Sequence, residues 1–61
     1  MPEYKIEAFS ETDKPHTILT QERGRALRYV AGLSAMRDYH RVTVTVSGKT
    51  YEGDSIRGQM P

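Results

Sequence analysis

The sequence predicts a small α+β domain in which a single helix packs on one face of an antiparallel sheet of three or four strands. Residues 20–39 carry apolar side chains at the spacing of a helix with one buried face. Residues 3–9 and 42–46 alternate between inward apolar and outward residues, as half-buried strands do. We therefore expect the element order ββαββ, with strands in the order 2-1-3-4.

The helix is the longest periodic segment, and we expect it to begin at Thr20, as its N-cap, and to end near Tyr39. At about 100° per residue, one side of this segment is mostly apolar. Its stripe, with two flanking residues, comprises Ala26, Leu27, Val30, Leu33, Ser34, Tyr29 and Met36. Gly24 and Gly32 each cost about 1 kcal/mol relative to alanine. They indicate either close approach of another backbone or simple tolerance, which we favour.

Four extended segments complete the domain. In the first, Tyr4, Ile6 and Ala8 point inward, which leaves Phe9 on the outer face. Residues 16–20, HTILT, form either a second strand or an extended lead-in to the helix, and we favour the strand. Residues 42–46, VTVTV, are followed by a tight turn at positions 47–48 or 48–49 and a short returning strand.

Composition excludes several classes of protein. The chain has 61 residues, no cysteine and a net charge of +1, so it has neither disulfides nor a cysteine-based zinc site. This length makes one domain, residues 1–61. We expect an ordered core over residues 3–53 and a loosely ordered tail over residues 54–61, with Ile56 as its one anchor. No apolar run approaches a membrane span, so we expect a cytoplasmic protein that contacts no membrane.

Catalysis and metal binding are not expected. His16 and His40 are the two histidines, and neither stands in a metal-binding spacing. His40, with Asp38 and Tyr39, is interpreted as a residue of the helix C-terminus, where a histidine interacts well with the helix dipole. A domain of this length has little room for a pocket that encloses a substrate. We therefore expect a protein that is not an enzyme and takes no cofactor.

Two binding surfaces follow from the predicted faces. Arg25 and Arg28 lie opposite the apolar stripe and, with Arg41, form a candidate partner or nucleic-acid face, since arginine suits phosphate oxygens. The outer face of the sheet, with Phe9, Thr43 and Thr45, is the candidate face of a homodimer formed through the sheet, by its edge or its outer face. Protein binding is the expected function, and nucleic-acid binding through the arginine-rich helix face is the alternative.

The order YKIEAF, PHTILT, ALRYVAGL and RVTVTVSGKTYEG resembles small uncharacterised accessory proteins of phages, notably those of actinobacterial hosts. The resemblance covers most of the chain. It implies a non-catalytic protein that acts in the host cytoplasm by binding a host or viral protein. It assigns no site residues to this chain.

Overall fold

The computed structural model of the protein describes residues 2–11 and 14–61. The described residues form four strands and two helices in the order ββαββα. Their bounds are β1 Tyr4–Phe9, β2 His16–Thr20, α1 Arg23–Ala35, β3 Arg41–Val46, β4 Lys49–Glu52 and α2 Asp54–Gly58. The α+β class and the strand at residues 16–20 are therefore confirmed.

The strands form one antiparallel sheet in the predicted order β2-β1-β3-β4. In the inner row of the sheet, Ile6 lies opposite both Ile18 of β2 and Val44 of β3. Because directly opposed residues share a face, this register places the apolar set of each strand under α1. The two central strands, β1 and β3, are the ones that α1 mainly contacts.

The core lies between α1 and the inner face of the sheet. Every second residue of β1 and β3 is apolar and points inward. Helix α1 buries only Ala26 and Leu33. The buried apolar residues are Tyr4, Ile6, Ala8, Ala26, Leu33, Val42, Val44, Val46, Ile56 and Met60. Leu27 and Val30 are partly buried against this core, and Ser34 of the predicted stripe is exposed.

Helix α1 is shorter than predicted at both ends. Thr20 belongs to β2, and its hydroxyl accepts a hydrogen bond from the Glu22 N–H at 3.2 Å, just before the helix begins. The backbone turns out of the helix at Met36, whose N–H bonds the Leu33 carbonyl at 3.1 Å. The periodicity of the sequence shows where apolar side chains recur along a helix. The exact helix ends depend on local hydrogen bonds, which this pattern does not predict.

A two-residue turn joins β3 and β4. Val46 pairs with Lys49, and Ser47 and Gly48 between them have φ angles of 52° and 79°. Two successive positive φ angles define the type I′ turn, whose twist matches that of the flanking strands. The turn therefore lies at the first of the two predicted positions.

The tail differs from the loosely ordered segment that the sequence predicts. Residues 54–58 form α2, and both Ile56 and Met60 are buried. The Tyr4 hydroxyl donates a hydrogen bond to the main-chain oxygen of Pro61 at 2.7 Å. The Arg23 Nε donates to the Met60 carbonyl at 3.4 Å. Small and polar residues dominate the tail, which is why its composition predicts loose order, but the buried side chains of Ile56 and Met60 hold it against the core.

Neither helix in the described part of the chain is long and apolar enough to cross a membrane.

Candidate functional site

Strand β2 lies at one edge of the sheet, beside β1 only. One row of its backbone N–H and C=O groups therefore faces away from the described strands, as on any edge strand. Its five residues, HTILT, include no lysine, arginine, aspartate or glutamate. Charge on an edge strand is a common device against pairing with another chain. The β2 edge lacks it.

The side chains of β2 add apolar surface to this edge. Ile18 faces inward opposite Ile6 but is only half-buried, because α1 lies mainly over β1 and β3. Leu19 faces outward opposite Lys5 and is 58% exposed. Apolar groups therefore flank the edge both above and below the plane of the sheet.

Two further exposed apolar side chains lie in α1 and directly after it. A surface cleft shared by α1, β3 and α2 is lined by Val30, Ala31 and Ser34, so that side of the helix faces β4. At about 100° per residue, Tyr29 lies beyond Leu33 on the opposite side of α1, toward β2, and Met36 directly follows the end of the helix. Tyr29 is 38% exposed and Met36 is 46% exposed.

We call strand β2 together with Tyr29 and Met36 the β2 flank. Among the described residues, the exposed large apolar side chains are Leu19 of β2, Tyr29 of α1 and Met36, which directly follows α1. The sequence predicts Tyr29 and Met36 beside the buried stripe and does not single out Leu19. The signal for Leu19 was present, since a leucine next to the inward Ile18 must point outward.

The opposite edge, β4, is covered. We call β4 with residues 53–61 the β4 flank. Its strand carries Lys49 and Glu52, and α2 packs beside it. Ile56 and Met60 are buried there, so the tail shields the side of α1 that faces β4. Charges and a covering helix are two devices that protect an edge strand.

The three predicted arginines do not share one face. Arg25 and Arg28 are exposed on α1, and the Arg25 Nε lies 2.6 Å from a carboxylate oxygen of Glu22. Arg41 points from the other side of the sheet, where its Nε lies 2.5 Å from Glu52 and its guanidinium carbon lies 5.7 Å from the Phe9 ring centroid. The prediction that Arg41 shares a face with Arg25 and Arg28 was wrong. Side chains alternate along β3, and position 41 is one of those that point away from α1.

The outer face of the sheet also differs from its prediction as a dimer face. Thr43 points outward but is only 3% exposed, because it lies at the centre of the face between longer side chains. Phe9 is half-buried next to Arg41, and the Thr45 hydroxyl is hydrogen-bonded to that of Thr50 at 3.0 Å. The other residues of these four strands with outward parity include Lys5, Glu7, Arg41 and Glu52. A charged face with a buried centre offers little apolar contact.

The histidines lie near each other at the end of the sheet where β2 begins. The rings of His16 and Tyr39 are stacked with centroids 6.5 Å apart, and the His40 N–H donates to the Phe9 carbonyl at 3.0 Å. Since α1 ends at Ala35, His40 lies outside the helix and does not interact with its C-terminus as predicted. Within residues 2–11 and 14–61, no three histidine, aspartate or glutamate side chains are grouped to hold a metal ion.

Compared with known proteins, the chain matches no family model, and neither a curated protein nor a solved structure is significantly similar to it.

Proposed function

We propose that this chain is a non-catalytic protein-binding module that docks an extended segment of its partner on the β2 flank. The partner adds a strand to β2 and covers the apolar side chains beside it. This mode of recognition gains affinity from main-chain hydrogen bonds and specificity from alternate side chains. The observation that carries the proposal is that Leu19 is exposed on an edge strand without charged residues, while Tyr29 of α1 and Met36 just after it are the other exposed large apolar side chains of the described residues.

The contrast between the two edges supports this choice of surface. Exposed apolar residues scattered singly need no explanation, but a group beside an open edge is typical of an interaction site. Strand β4 carries Lys49 and Glu52 and has α2 beside it, whereas strand β2 itself carries no lysine, arginine, aspartate or glutamate. A partner segment with apolar residues at every second position would pack them beside Ile18 on one face or Leu19 on the other.

The test is an affinity capture with a matched pair of variants. Leu19→Lys puts a charge on the β2 edge, while Thr50→Lys puts the same charge on the β4 edge. Thr50 is the matched control because it is exposed and lies on the same face of the sheet as Leu19. Both belong to one row of opposed residues that runs across the four strands from Leu19 through Lys5 and Thr45 to Thr50.

We expect the wild-type chain and Thr50→Lys to capture the same protein, and Leu19→Lys to lose it. The bait is presented to a lysate that also contains a differently tagged copy of the chain, so that self-association is detected in the same experiment. A partner that Leu19→Lys retains, or the absence of any captured protein including the second copy, would overturn the proposal.

Nucleic-acid binding through Arg25 and Arg28 remains the second hypothesis, and fewer observations support it. Arg25 is paired with Glu22, and Arg41 lies on the other side of the sheet. If the helix face binds phosphates, changing Arg25 and Arg28 to glutamine will weaken binding at low salt without unfolding the chain. A wild-type chain that binds neither duplex nor single strands at low salt would end this hypothesis.

An origin among phage accessory proteins also stays a prediction. It fits a small module that acts by binding alone, and identification of the captured partner as a host or viral protein would support it.

A further inference from the structure

We infer that the segment docked on β2 is the β2 strand of a second copy, in an antiparallel pair centred on Ile18. This inference rests on the proposed function, since it names the partner of the same surface. The two copies then share one continuous sheet, with both α1 helices on the same face.

The register follows from the length and parity of β2. An antiparallel pair centred on Ile18 places Ile18 opposite the partner's Ile18 and Thr17 opposite the partner's Leu19. All five residues of the strand are then paired. A shift by one residue would bring inward side chains opposite outward ones, and a shift by two would leave residues of both strands unpaired.

This register covers the apolar side chains that the single chain leaves open. Ile18, half-buried in one copy, would pack against the partner's Ile18 on the helix side of the sheet. Leu19 would lie beside the partner's Thr17 on the outer face, where the Thr17 methyl group provides apolar contact. The strand carries no Lys, Arg, Asp or Glu, so pairing it with itself opposes no like charges within the strand.

Charges just beyond the strand also match in this orientation. Lys14 is exposed before the first residue of β2, while Glu3 and Glu22 lie beside its last residue. Lys14 lies four residues before Ile18 and Glu22 lies four residues after it. The same register therefore brings Lys14 opposite the partner's Glu22. Glu22 already forms an ion pair with Arg25 of its own copy at 2.6 Å, so Lys14 would add a second cation beside it. Exposed ion pairs add little affinity, but they favour one orientation over another.

The position of α1 leaves room for this arrangement. The antiparallel pair has a two-fold axis between the two β2 strands. Helix α1 lies over β1 and β3, about two strand spacings from that axis. With strands ~4.8 Å apart, the two helix axes would be about 19 Å apart. Each helix with its side chains is about 10–12 Å wide, which leaves about 8 Å between them. Tyr29 and Met36 of each copy face this space and can fill it from both sides.

The experiment uses the fact that the chain has no cysteine. Ile18→Cys places one thiol per copy directly opposite its equivalent, with Cα atoms ~4.5–5.5 Å apart, within the range for a disulfide. Thr17→Cys is the matched control, because the two Thr17 positions would be about 8 Å apart. Mixing Thr17→Cys with Leu19→Cys brings together two positions that the register makes direct neighbours.

We expect a disulfide-linked dimer from Ile18→Cys alone and from the mixture of Thr17→Cys with Leu19→Cys. We expect Thr17→Cys alone and Leu19→Cys alone to form no disulfide link between copies under the same mild oxidation. Equal cross-linking of all samples would indicate random collision and overturn the register. If Ile18→Cys does not fold, the mixture of the two exposed positions still decides the question.

Sedimentation equilibrium of the unmodified chain separates this inference from the proposed function. A dimer mass at high micromolar concentration, lost in Leu19→Lys and kept in Thr50→Lys, supports both. A monomer mass for the unmodified chain overturns the second copy as the partner. The proposed function then stands only if affinity capture finds a different protein that Leu19→Lys loses, and it fails if capture finds none.

Discussion

The two edges of the sheet are built from similar short strands but differ in what covers them. On the β4 flank, α2 and Met60 close the side of the core, and Lys49 and Glu52 add charge to the strand. On the β2 flank, Leu19, Tyr29 and Met36 are exposed beside an uncharged strand. The tail, rather than the sheet or α1, therefore determines which flank is covered.

The geometry of the fold explains why each flank needs its own cover. A helix with its side chains is about 10–12 Å wide, and strands lie ~4.8 Å apart, so one helix covers about two strands. Helix α1 covers β1 and β3, which leaves a strand on each side. Residues 53–61 cover one of these strands, and the described chain provides no second segment for the other.

The largest expected effect is on the closed flank. Ile56 is buried, and Ile56→Ala should lower the free energy of unfolding by about 2–5 kcal/mol, because it removes apolar contacts and leaves a cavity. Such a loss is a large part of the stability of a small domain. Urea unfolding monitored by circular dichroism measures it, and Leu19→Ala is the control on the open flank. Equal losses for the two variants would show that the flanks do not differ.

The hydrogen bond that holds the end of the tail should have a smaller effect. Tyr4→Phe removes the hydroxyl that donates to the main-chain oxygen of Pro61, so the free energy of unfolding should fall by about 0.5–1.5 kcal/mol. Tyr51→Phe is the matched control, since Tyr51 is half-buried and its hydroxyl has no such bond. A loss for Tyr51→Phe as large as that for Tyr4→Phe would show that the tail bond contributes nothing specific.

A substitution in α1 should raise the free energy of unfolding without changing either flank. Among the described residues, and apart from the backbone of α1 itself, no atom lies within 4 Å of a Cβ atom placed at Gly32, so simple tolerance of this glycine is favoured. Gly32→Ala should raise the free energy of unfolding by about 0.5–1 kcal/mol through helix propensity. Gly48→Ala should lower it, because Gly48 has a φ of 79°. A destabilised Gly32→Ala would reveal a close approach that this structure lacks.

The smallest expected effect on folding is at the surface proposed to bind. Leu19 is 58% exposed, so Leu19→Lys should change the free energy of unfolding of the single chain by no more than about 0.5 kcal/mol. Thermal melting at low micromolar concentration, where chains are apart, measures this value. A large loss would assign Leu19 to the fold itself and would remove the argument that its exposure serves binding.

Much of the fold could be predicted from the sequence because its patterns are periodic. The alternation of Tyr4, Ile6 and Ala8 and of the three valines in β3 fixed the inner face, and parity then placed the strands correctly. The helix ends, the tail and the exposure of Thr43 could not be predicted in the same way. They depend on single tertiary contacts, such as the bond from Tyr4 to Pro61, that leave no periodic signal.

The candidate site was less predictable than the fold. Arg41 comes shortly after α1 in the sequence. The alternation of side chains along β3 nevertheless places it on the face of the sheet opposite to Arg25 and Arg28. The β2 flank unites Leu19 of a strand with Tyr29 and Met36 of the helix side, and only the three-dimensional structure brings them to one edge. A surface of this kind also depends on which flank the tail leaves open, and that is set by Ile56 and Met60, which are distant from β2 in the sequence.

The most direct test of the difference between the flanks is a dilution series followed by amide chemical shifts. Spectra of the isotope-labelled chain are recorded from millimolar to low micromolar concentration. We predict concentration-dependent shifts at residues 16–20 and at Tyr29 and Met36, with none at residues 49–52. Shifts centred on residues 49–52 or on the outer face of the sheet, or constant shifts throughout the range, would contradict docking of a second copy on the β2 flank.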